Sequence, residues 1–201
     1  MAGSPYENAD VRAECRETLV REMLLRTFAH DVRGAVMGVM GWVELASMDG
    51  EQLPAGLTRS LDRLETIVGR FDSVSTVSAT EPVDVRPLLQ HTLGLEVRGE
   101  SEPALIPPLR FLAALELAAP EEIELSIDLR GGRSRQRIHL VGLPSAGVQL
   151  AMAPHYETLI ERLGERDRVL GACLMRVVAR SSGGELRGEP PDRLNLFFPL
   201  A

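Results

Sequence analysis

One histidine in the sequence stands beside a carboxylate, and this pair is the strongest candidate for chemistry. His30 is followed directly by Asp31, and Arg33 lies two positions further along. A carboxylate that accepts the proton of one imidazole nitrogen orients the ring and makes the other nitrogen a better nucleophile. The spacing therefore favours nucleophilic chemistry at His30. The alternative is an ordinary surface histidine on a helix, and from the dipeptide alone this alternative carries more weight.

A long helix is expected to carry this histidine. The pattern from about Glu7 to Met48 is helical, and apolar residues recur at steps of three or four along one face: Phe28, Val32, Ala35, Val39, Val43 and Ala46. His30 is two residues from Phe28, so it lies roughly 200° around the helix from that seam. We therefore expect the imidazole to face solvent.

Three glycines follow the histidine within the same helix. Gly34, Gly38 and Gly41 each cost about 1 kcal/mol relative to alanine in a helix interior. Such a cost suggests a packing or docking reason, such as room beside the histidine for another protein, and Gly34 is the nearest of the three to His30. The alternative for Gly38 and Gly41 is close packing of the helix against its neighbour. Apolar residues nearby belong either to the docking surface or to the helical core: Val36, Met37, Met40 and Trp42.

A second amphipathic helix is predicted from about Pro54 to Val77, after a connector over residues 49 to 54. Its apolar seam has heptad-like spacing: Leu57, Leu61, Leu64, Val68, Phe71 and Val74. Two such helices joined by a short connector form an antiparallel hairpin. A hairpin cannot bury both seams alone, and pairing with a second copy would produce a four-helix bundle. We therefore predict a homodimer; the alternative is a hairpin that packs on the rest of its own chain.

The remainder of the chain indicates an α+β domain. The boundary is placed at the polar, proline-ended segment Ser78 to Pro82, which gives domains at 7–78 and 83–201. Predicted helices cover 85–97, 109–119, 156–163 and 168–182, and predicted strands cover 123–129, 138–141, 185–187 and 194–200. Residues 100–108 and 142–154 are expected to be irregular, and the arginine-rich segment 130–137 is expected to be an exposed turn. Helices on one face of an antiparallel sheet satisfy this pattern.

Composition narrows the classes of function. The 201 residues are 44% hydrophobic and carry a net charge of −7, which argues against a general nucleic-acid binder. Cys15 and Cys173 match no metal-ligand spacing and are expected to be reduced thiols. No apolar run reaches about 18 residues, and no signal-peptide pattern opens the chain. We therefore expect a cytoplasmic protein with no membrane contact.

The order of these elements resembles that of bacterial sensor histidine kinases, in which a phosphoacceptor hairpin precedes an ATP-binding domain. His30 to Arg33 looks like the phosphoacceptor motif of that family, although Gly34 and Ala35 stand where the family usually has a small polar residue and proline. The segment from Val169 to Gly184 is similar to the family's glycine-flanked segment, with Val169 in place of its first glycine. Leu194 to Leu200 looks like the closing strand of the ATP-binding domain.

The resemblance fails at the residues that would hold ATP. The helix 109–119 has no asparagine, and its one acid is Glu116; the segment Leu140 to Gly147 lacks the family's adenine-binding aspartate. Without these groups, adenine and Mg²⁺ lose their polar ligands. The combination is similar to histidine phosphotransferases that keep a degenerate histidine-kinase-ATPase-like α/β sandwich.

This resemblance implies a homodimer that carries a phosphoryl group between response-regulator receiver aspartates through His30. It further implies that Asp31 orients or deprotonates the imidazole and that Arg33 holds the phosphoryl group or the partner. Gly34 and Met37 would then be partner-docking positions, and no cofactor would be bound, because the receiver supplies Mg²⁺. Two alternatives remain at this stage: a pseudokinase scaffold in which His30 carries no phosphate, and an active kinase with unusual nucleotide contacts.

Overall fold

The computed structural model describes residues 8–48, 55–73, 80–130, 132–162 and 168–201 of the chain. Its helices are α1 (Ala9–Met48), α2 (Ala55–Ser73), α3 (Val85–Leu93), α4 (Pro108–Ala118), α5 (Ser145–Met152), α6 (Tyr156–Arg162) and α7 (Arg168–Ser181). Its strands are β1 (Glu81–Val83), β2 (Val97–Gly99), β3 (Ala104–Ile106), β4 (Glu122–Arg130), β5 (Arg133–Val141), β6 (Glu185–Glu189) and β7 (Arg193–Pro199).

The chain forms two compact units, and α1 contributes to both. One unit, called unit 1 below, combines Met1–Met23 with Thr76–Ala201, and unit 2 is Leu24–Ser75. The predicted domain boundary lay at residues 78–82, whereas the contacts also divide α1 after Met23. The first half of α1 therefore belongs with the sheet, and the second half, which carries His30, belongs with α2.

Unit 1 is built on a five-stranded sheet in the order β2-β4-β5-β7-β6. β2 runs parallel to β4, and the other neighbours are antiparallel. Alternation along β5 explains its two faces, because Ile138 and Leu140 are buried while Arg137 and His139 stay partly exposed. The buried face carries the helices, so the predicted α+β class is confirmed.

The helices of unit 1 approach one another closely at glycines. A Cβ placed on Gly171 of α7 would lie 2.2 Å from the backbone nitrogen of Ala118, at the end of α4. A Cβ on Gly147 of α5 would lie 3.0 Å from the Cα of Val169. These glycines let α4, α5 and α7 pack backbone to backbone, beneath a core that includes the edge-to-face pair Phe111 and Phe198.

Several predicted boundaries in unit 1 were wrong. Predicted helix 85–97 ends at Leu93, where Gly94 adopts a left-handed conformation with φ 65° and closes the helix. The chain then forms β2, and the segment expected to be loop contains β3. The segment 142–154 contains α5, and β5 begins at Arg133 rather than Ile138. Short strands and helices of this kind are fixed by tertiary pairing, which leaves little trace in sequence periodicity.

Unit 2 exposes much of its apolar surface. Of the predicted α1 seam, Ala46 is buried, whereas Phe28 is 39% exposed and Val39 is 45% exposed. On α2, Leu61 is buried but Leu57 and Leu64 are exposed. The connector 49–54, the end of the predicted second helix and the start of the predicted linker lie outside the described residues. At the seam positions that the structure describes, a single chain therefore leaves several apolar side chains uncovered.

The close approach at Gly171 gives a stability prediction. We expect Gly171→Ala to lower the free energy of unfolding by about 3 kcal/mol, because its methyl group would overlap backbone rather than a movable side chain. Urea unfolding followed by circular dichroism measures the change. Gly56→Ala is the matched control, since a Cβ there meets no atom within 4 Å and the substitution is expected to be neutral or slightly stabilising. Equal effects of the two substitutions would contradict this packing.

Candidate functional site

His30 presents its imidazole to solvent, as its position around the helix predicted. Its side chain is 84% exposed, and its Nδ1 lies 3.2 Å from Oδ1 of Asp31. In the tautomer in which Nδ1 donates this hydrogen bond, Nε2 carries the free lone pair. In that tautomer, the contact with Asp31 orients the ring and Nε2 remains open to solvent.

Gly34 leaves open the space beside the imidazole. Side chains on a helix lean towards its N-terminus, so a side chain at position 34 would extend over the turn that holds His30. Gly34 has no side chain, and a Cβ added there would meet no atom within 4 Å. Another molecule can therefore approach the ring from this side.

The other glycines of α1 also have open space beside them in the part of the chain that the structure describes. A Cβ at Gly38 or Gly41 would meet none of the described atoms outside its own helix backbone within 4 Å. Close packing of these two glycines against a neighbouring helix therefore stays a prediction. Their helical cost is also compatible with a surface that another protein covers.

The apolar residues beyond His30 divide between core and surface. Val36 is buried and Met40 is half-buried, whereas Met37 is 56% exposed and Trp42 is 70% exposed. Met37 is seven residues from His30, two helical turns along nearly the same face. Arg33, one turn from His30, is half-buried. The predicted site residues therefore lie together on unit 2, with Met37 extending the same surface.

The segments compared with an ATP site are engaged with one another. Nε of Arg168 donates to the Ala118 carbonyl at 3.3 Å, and a second nitrogen of the same guanidinium donates to the Gly142 carbonyl. Gly147, from the segment that lacks the adenine-binding aspartate, packs on Val169. The backbone groups at this end of unit 1 are thus partly occupied by the chain itself.

Two ion pairs in unit 1 were missed by sequence reasoning. Arg12 of α1 pairs with Glu116 of α4 at 2.8 Å, and Glu22 of α1 pairs with Arg110 of α4. The sequence does carry a signal, because Arg12, Leu19 and Met23 recur at helical spacing and all three are buried. Because this half of α1 also carries many charged residues, its buried face was not recognised from the sequence.

Most arginines of the predicted turn belong to β5, and two of them have side-chain partners on β6 and β7. Arg135 pairs with Glu185 at 3.2 Å, and Nε of Arg137 donates to Asn195 at 2.7 Å. Among the described ranges, no three acidic, histidine or cysteine side chains are grouped so that they could hold a metal ion. None of the helices in those ranges is long and apolar enough to cross a membrane.

Comparison with known proteins adds a likeness to signalling enzymes. No protein-family model and no curated protein matches the chain. Among solved structures, the chain is similar to a histidine kinase from Burkholderia phymatum STM815, with 18% identity and a TM-score of 0.49 over 94% of this chain and 96% of that one. It is similar to the Acinetobacter baumannii histidine kinase AdeS, with 12% identity and a TM-score of 0.35 over 86% and 97% of the two chains.

A structure described as a bacterial phosphotransferase is also similar, with 12% identity and a TM-score of 0.33 over 91% of this chain and 95% of that one. The similar structures therefore include both histidine kinases and a phosphotransferase. At such low identities and TM-scores, the likeness assigns no activity and no residue role to this chain.

His139 gives a prediction for the pH dependence of stability. Burial lowers the pKa of His139, and the neighbouring Arg137 lowers this pKa further. The folded state thus keeps the imidazole neutral, so this contribution to stability is complete above the unfolded pKa of about 6.5 and is lost as the pH falls below it. We expect His139→Gln to reduce the loss of stability between about pH 7 and about pH 5. Urea midpoints at the two pH values measure the effect; an unchanged or larger loss in the variant would contradict it.

Proposed function

We propose that the chain is a histidine phosphotransfer protein of a two-component phosphorelay. In this proposal, His30 passes a phosphoryl group between receiver-domain aspartates without using ATP. The observation that carries the proposal is the exposed His30 ring, whose Nδ1 lies 3.2 Å from Oδ1 of Asp31, on a helix that has open space at Gly34 one turn further along. A nucleophile with this exposure suits a substrate that is itself the surface of a protein.

The transfer is an in-line displacement at phosphorus. The Nε2 lone pair attacks the phosphoryl group of an aspartyl phosphate, the P–O bond to the aspartate breaks, and the carboxylate leaves with the bonding electrons. Nδ1 keeps its proton, and Asp31 stabilises the positive charge that develops on the ring. Transfer to the second receiver reverses these steps. Mg²⁺ comes with the receiver domain, where it neutralises charge on the phosphoryl oxygens.

In this proposal, Arg33 assists the phosphoryl group or the partner. It lies three residues after His30, and side chains at this spacing are neighbours on one helix face. A guanidinium can form paired hydrogen bonds with phosphoryl oxygens, which strengthens both binding and orientation. In the proposed reaction, Arg33 therefore offsets negative charge as the group reaches Nε2.

The exposed surface beyond His30 fits a partner protein of this kind. Gly34, Met37 and Gly41 combine open helix backbone with an exposed, adaptable thioether. A receiver helix can approach the backbone closely at the glycines, while Met37 adds apolar contact. These residues would therefore hold the donor aspartate near Nε2.

The ATP-independent part of the proposal is supported by unit 1. Its helix α4 has no asparagine, and the segments around Gly142 and Gly147 engage Arg168 and Val169. Carbonyl groups that already accept hydrogen bonds are less available to a metal or its water ligands. These features favour a transferase over a kinase, and the experiment below includes ATP as a separate donor.

We further propose that unit 2 dimerises through its exposed seams. Phe28, Val39 and Leu64 occupy seam positions, yet each remains about two-fifths exposed in the single chain. Full burial of such a side chain contributes about 1.5–3 kcal/mol. A second copy would cover these residues on both protomers at once and complete a four-helix bundle.

A phosphotransfer assay tests the central proposal. The chain, His30→Ala and the control His91→Ala are each mixed with a phosphorylated receiver domain, and separately with ATP and Mg²⁺. We expect acid-labile label from the receiver on the native chain and on His91→Ala, and none on His30→Ala. His91 is an exposed histidine on α3, so its replacement controls for imidazole loss elsewhere.

Three other outcomes would contradict the proposal. Label that persists on His30→Ala would place the acceptor elsewhere. Label from ATP would support an active kinase instead. Label from neither donor, across all receiver domains encoded in the same genome, would support a scaffold that carries no phosphate.

The dimer is tested by sedimentation equilibrium. We expect the native chain to sediment as a dimer and Val39→Glu to sediment as a monomer, because two glutamates would be buried in the bundle without partners. Leu129→Glu is the control, since Leu129 is a 71% exposed apolar residue of unit 1 outside the seams. A native chain that sediments as a monomer at micromolar concentration, or equal dissociation by both variants, would contradict the proposal.

A further inference from the structure

The first half of the phosphoacceptor helix is part of unit 1 and is called the α1 arm here (residues 9–23). One face of the arm is buried, with Leu19 fully buried and Met23 only 3% exposed. Cys15 lies on the same face, where burial raises the pKa of its thiol. The face is flanked by two charged residues, Arg12 and Glu22, which are buried with it. The arm is therefore docked rather than solvated.

The charged ends of the arm contact both charged residues of α4. Two guanidinium nitrogens of Arg12 lie 2.8 Å from the same Glu116 oxygen. Arg110 donates to Glu22, whose side chain is only 8% exposed. The two pairs have opposite polarity, since the arm supplies the cation in one and the anion in the other. Such an arrangement accepts one register of the arm and opposes a shifted or reversed one.

Burial makes these pairs different from ordinary surface ion pairs. The side chains of Arg12 and Arg110 are 7% and 11% exposed. Removing one member of a buried pair leaves an uncompensated charge, which is costly, whereas an exposed pair contributes little. These contacts therefore define a docked arm with both pairs formed, and releasing the arm would transfer all four charges to water.

The helix continues from the arm to the phosphoacceptor without a break. His30 lies seven residues after Met23 within α1, a rise of about 10 Å along the axis. We propose that the two ion pairs form a latch which holds the arm on α4, and that the latched state is the one in which His30 accepts a phosphoryl group efficiently. This inference rests on the proposed function for its readout at His30.

The test breaks and restores one pair. Arg110→Glu places two carboxylates together, and the double variant Glu22→Arg with Arg110→Glu restores the pair with exchanged charges. Arg12→Gln interrupts the other pair more mildly, in case the charge reversal prevents folding. Arg98→Glu is the control, because it reverses the same charge in a pair whose side chains are 71% and 84% exposed.

Hydrogen exchange of the arm amides reports the latch, and the rate of label transfer from a phosphorylated receiver reports its effect. We expect Arg110→Glu to accelerate arm exchange by at least about tenfold while β5 amides keep their protection. We expect the transfer rate to fall by at least about threefold. The double variant Glu22→Arg with Arg110→Glu should recover the native exchange rate and the native transfer rate. Arg12→Gln should change both rates in the same direction as Arg110→Glu, and Arg98→Glu should change neither rate.

If hydrogen exchange of the arm is unchanged in both Arg110→Glu and Arg12→Gln, the latch is contradicted. It is also contradicted if the double variant with exchanged charges does not recover the protection of the arm amides. Faster hydrogen exchange of the arm with an unchanged rate of label transfer would contradict the proposal that the latch controls His30. Phosphoramidate, a small phosphoryl donor, separates this proposal from the preceding one. If it labels His30 equally in all variants while receivers label none, the proposed relay fails, and the exchange data still decide whether the latch exists.

Discussion

The continuity of α1 is the constraint on which the rest of the structure depends. One uninterrupted helix, Ala9–Met48, must bury a mixed face in unit 1 and then present the His30 imidazole to solvent in unit 2. Its sequence changes accordingly. The first half places Arg12, Leu19 and Glu22 on one buried face, where charge is tolerated because α4 supplies opposite charges. The second half places glycines around His30, where open space matters more than helix propensity.

The same residue type has opposite uses in the two units. Gly171 and Gly147 let helices of unit 1 touch at the backbone, whereas a Cβ at Gly34, Gly38 or Gly41 would meet none of the described atoms beyond its own helix. In unit 1, some backbone carbonyl groups already accept hydrogen bonds from the chain itself, as the contacts of Arg168 show. Open backbone in unit 2 leaves room for another protein. The proposed relay uses both properties, since it needs an accessible imidazole and no nucleotide.

Much of this arrangement could be read from the sequence, for physical reasons. The exposure of His30 follows from helical geometry, and the hydrogen bond to Asp31 follows from adjacency. The long helices, α4, α7 and the hairpin of β4 and β5 have strong periodicity. In contrast, β2, β3 and α5 are too short to show a clear hydrophobic periodicity, because tertiary contacts determine whether such short elements form. The partners of Arg12 and Glu22 lie about a hundred residues away, so only the folded chain shows why these charges are buried.

The most direct measurement is ³¹P–¹⁵N correlation NMR on chain labelled with ¹⁵N-histidine after exposure to a phosphorylated receiver domain. The proposed mechanism leaves Nδ1 hydrogen-bonded to Asp31 and makes Nε2 the nucleophile. It therefore predicts a single phosphoryl group, coupled to Nε2 of His30, which disappears in His30→Ala. Phosphorus on Nδ1, on another residue or on no residue of the chain would contradict the account.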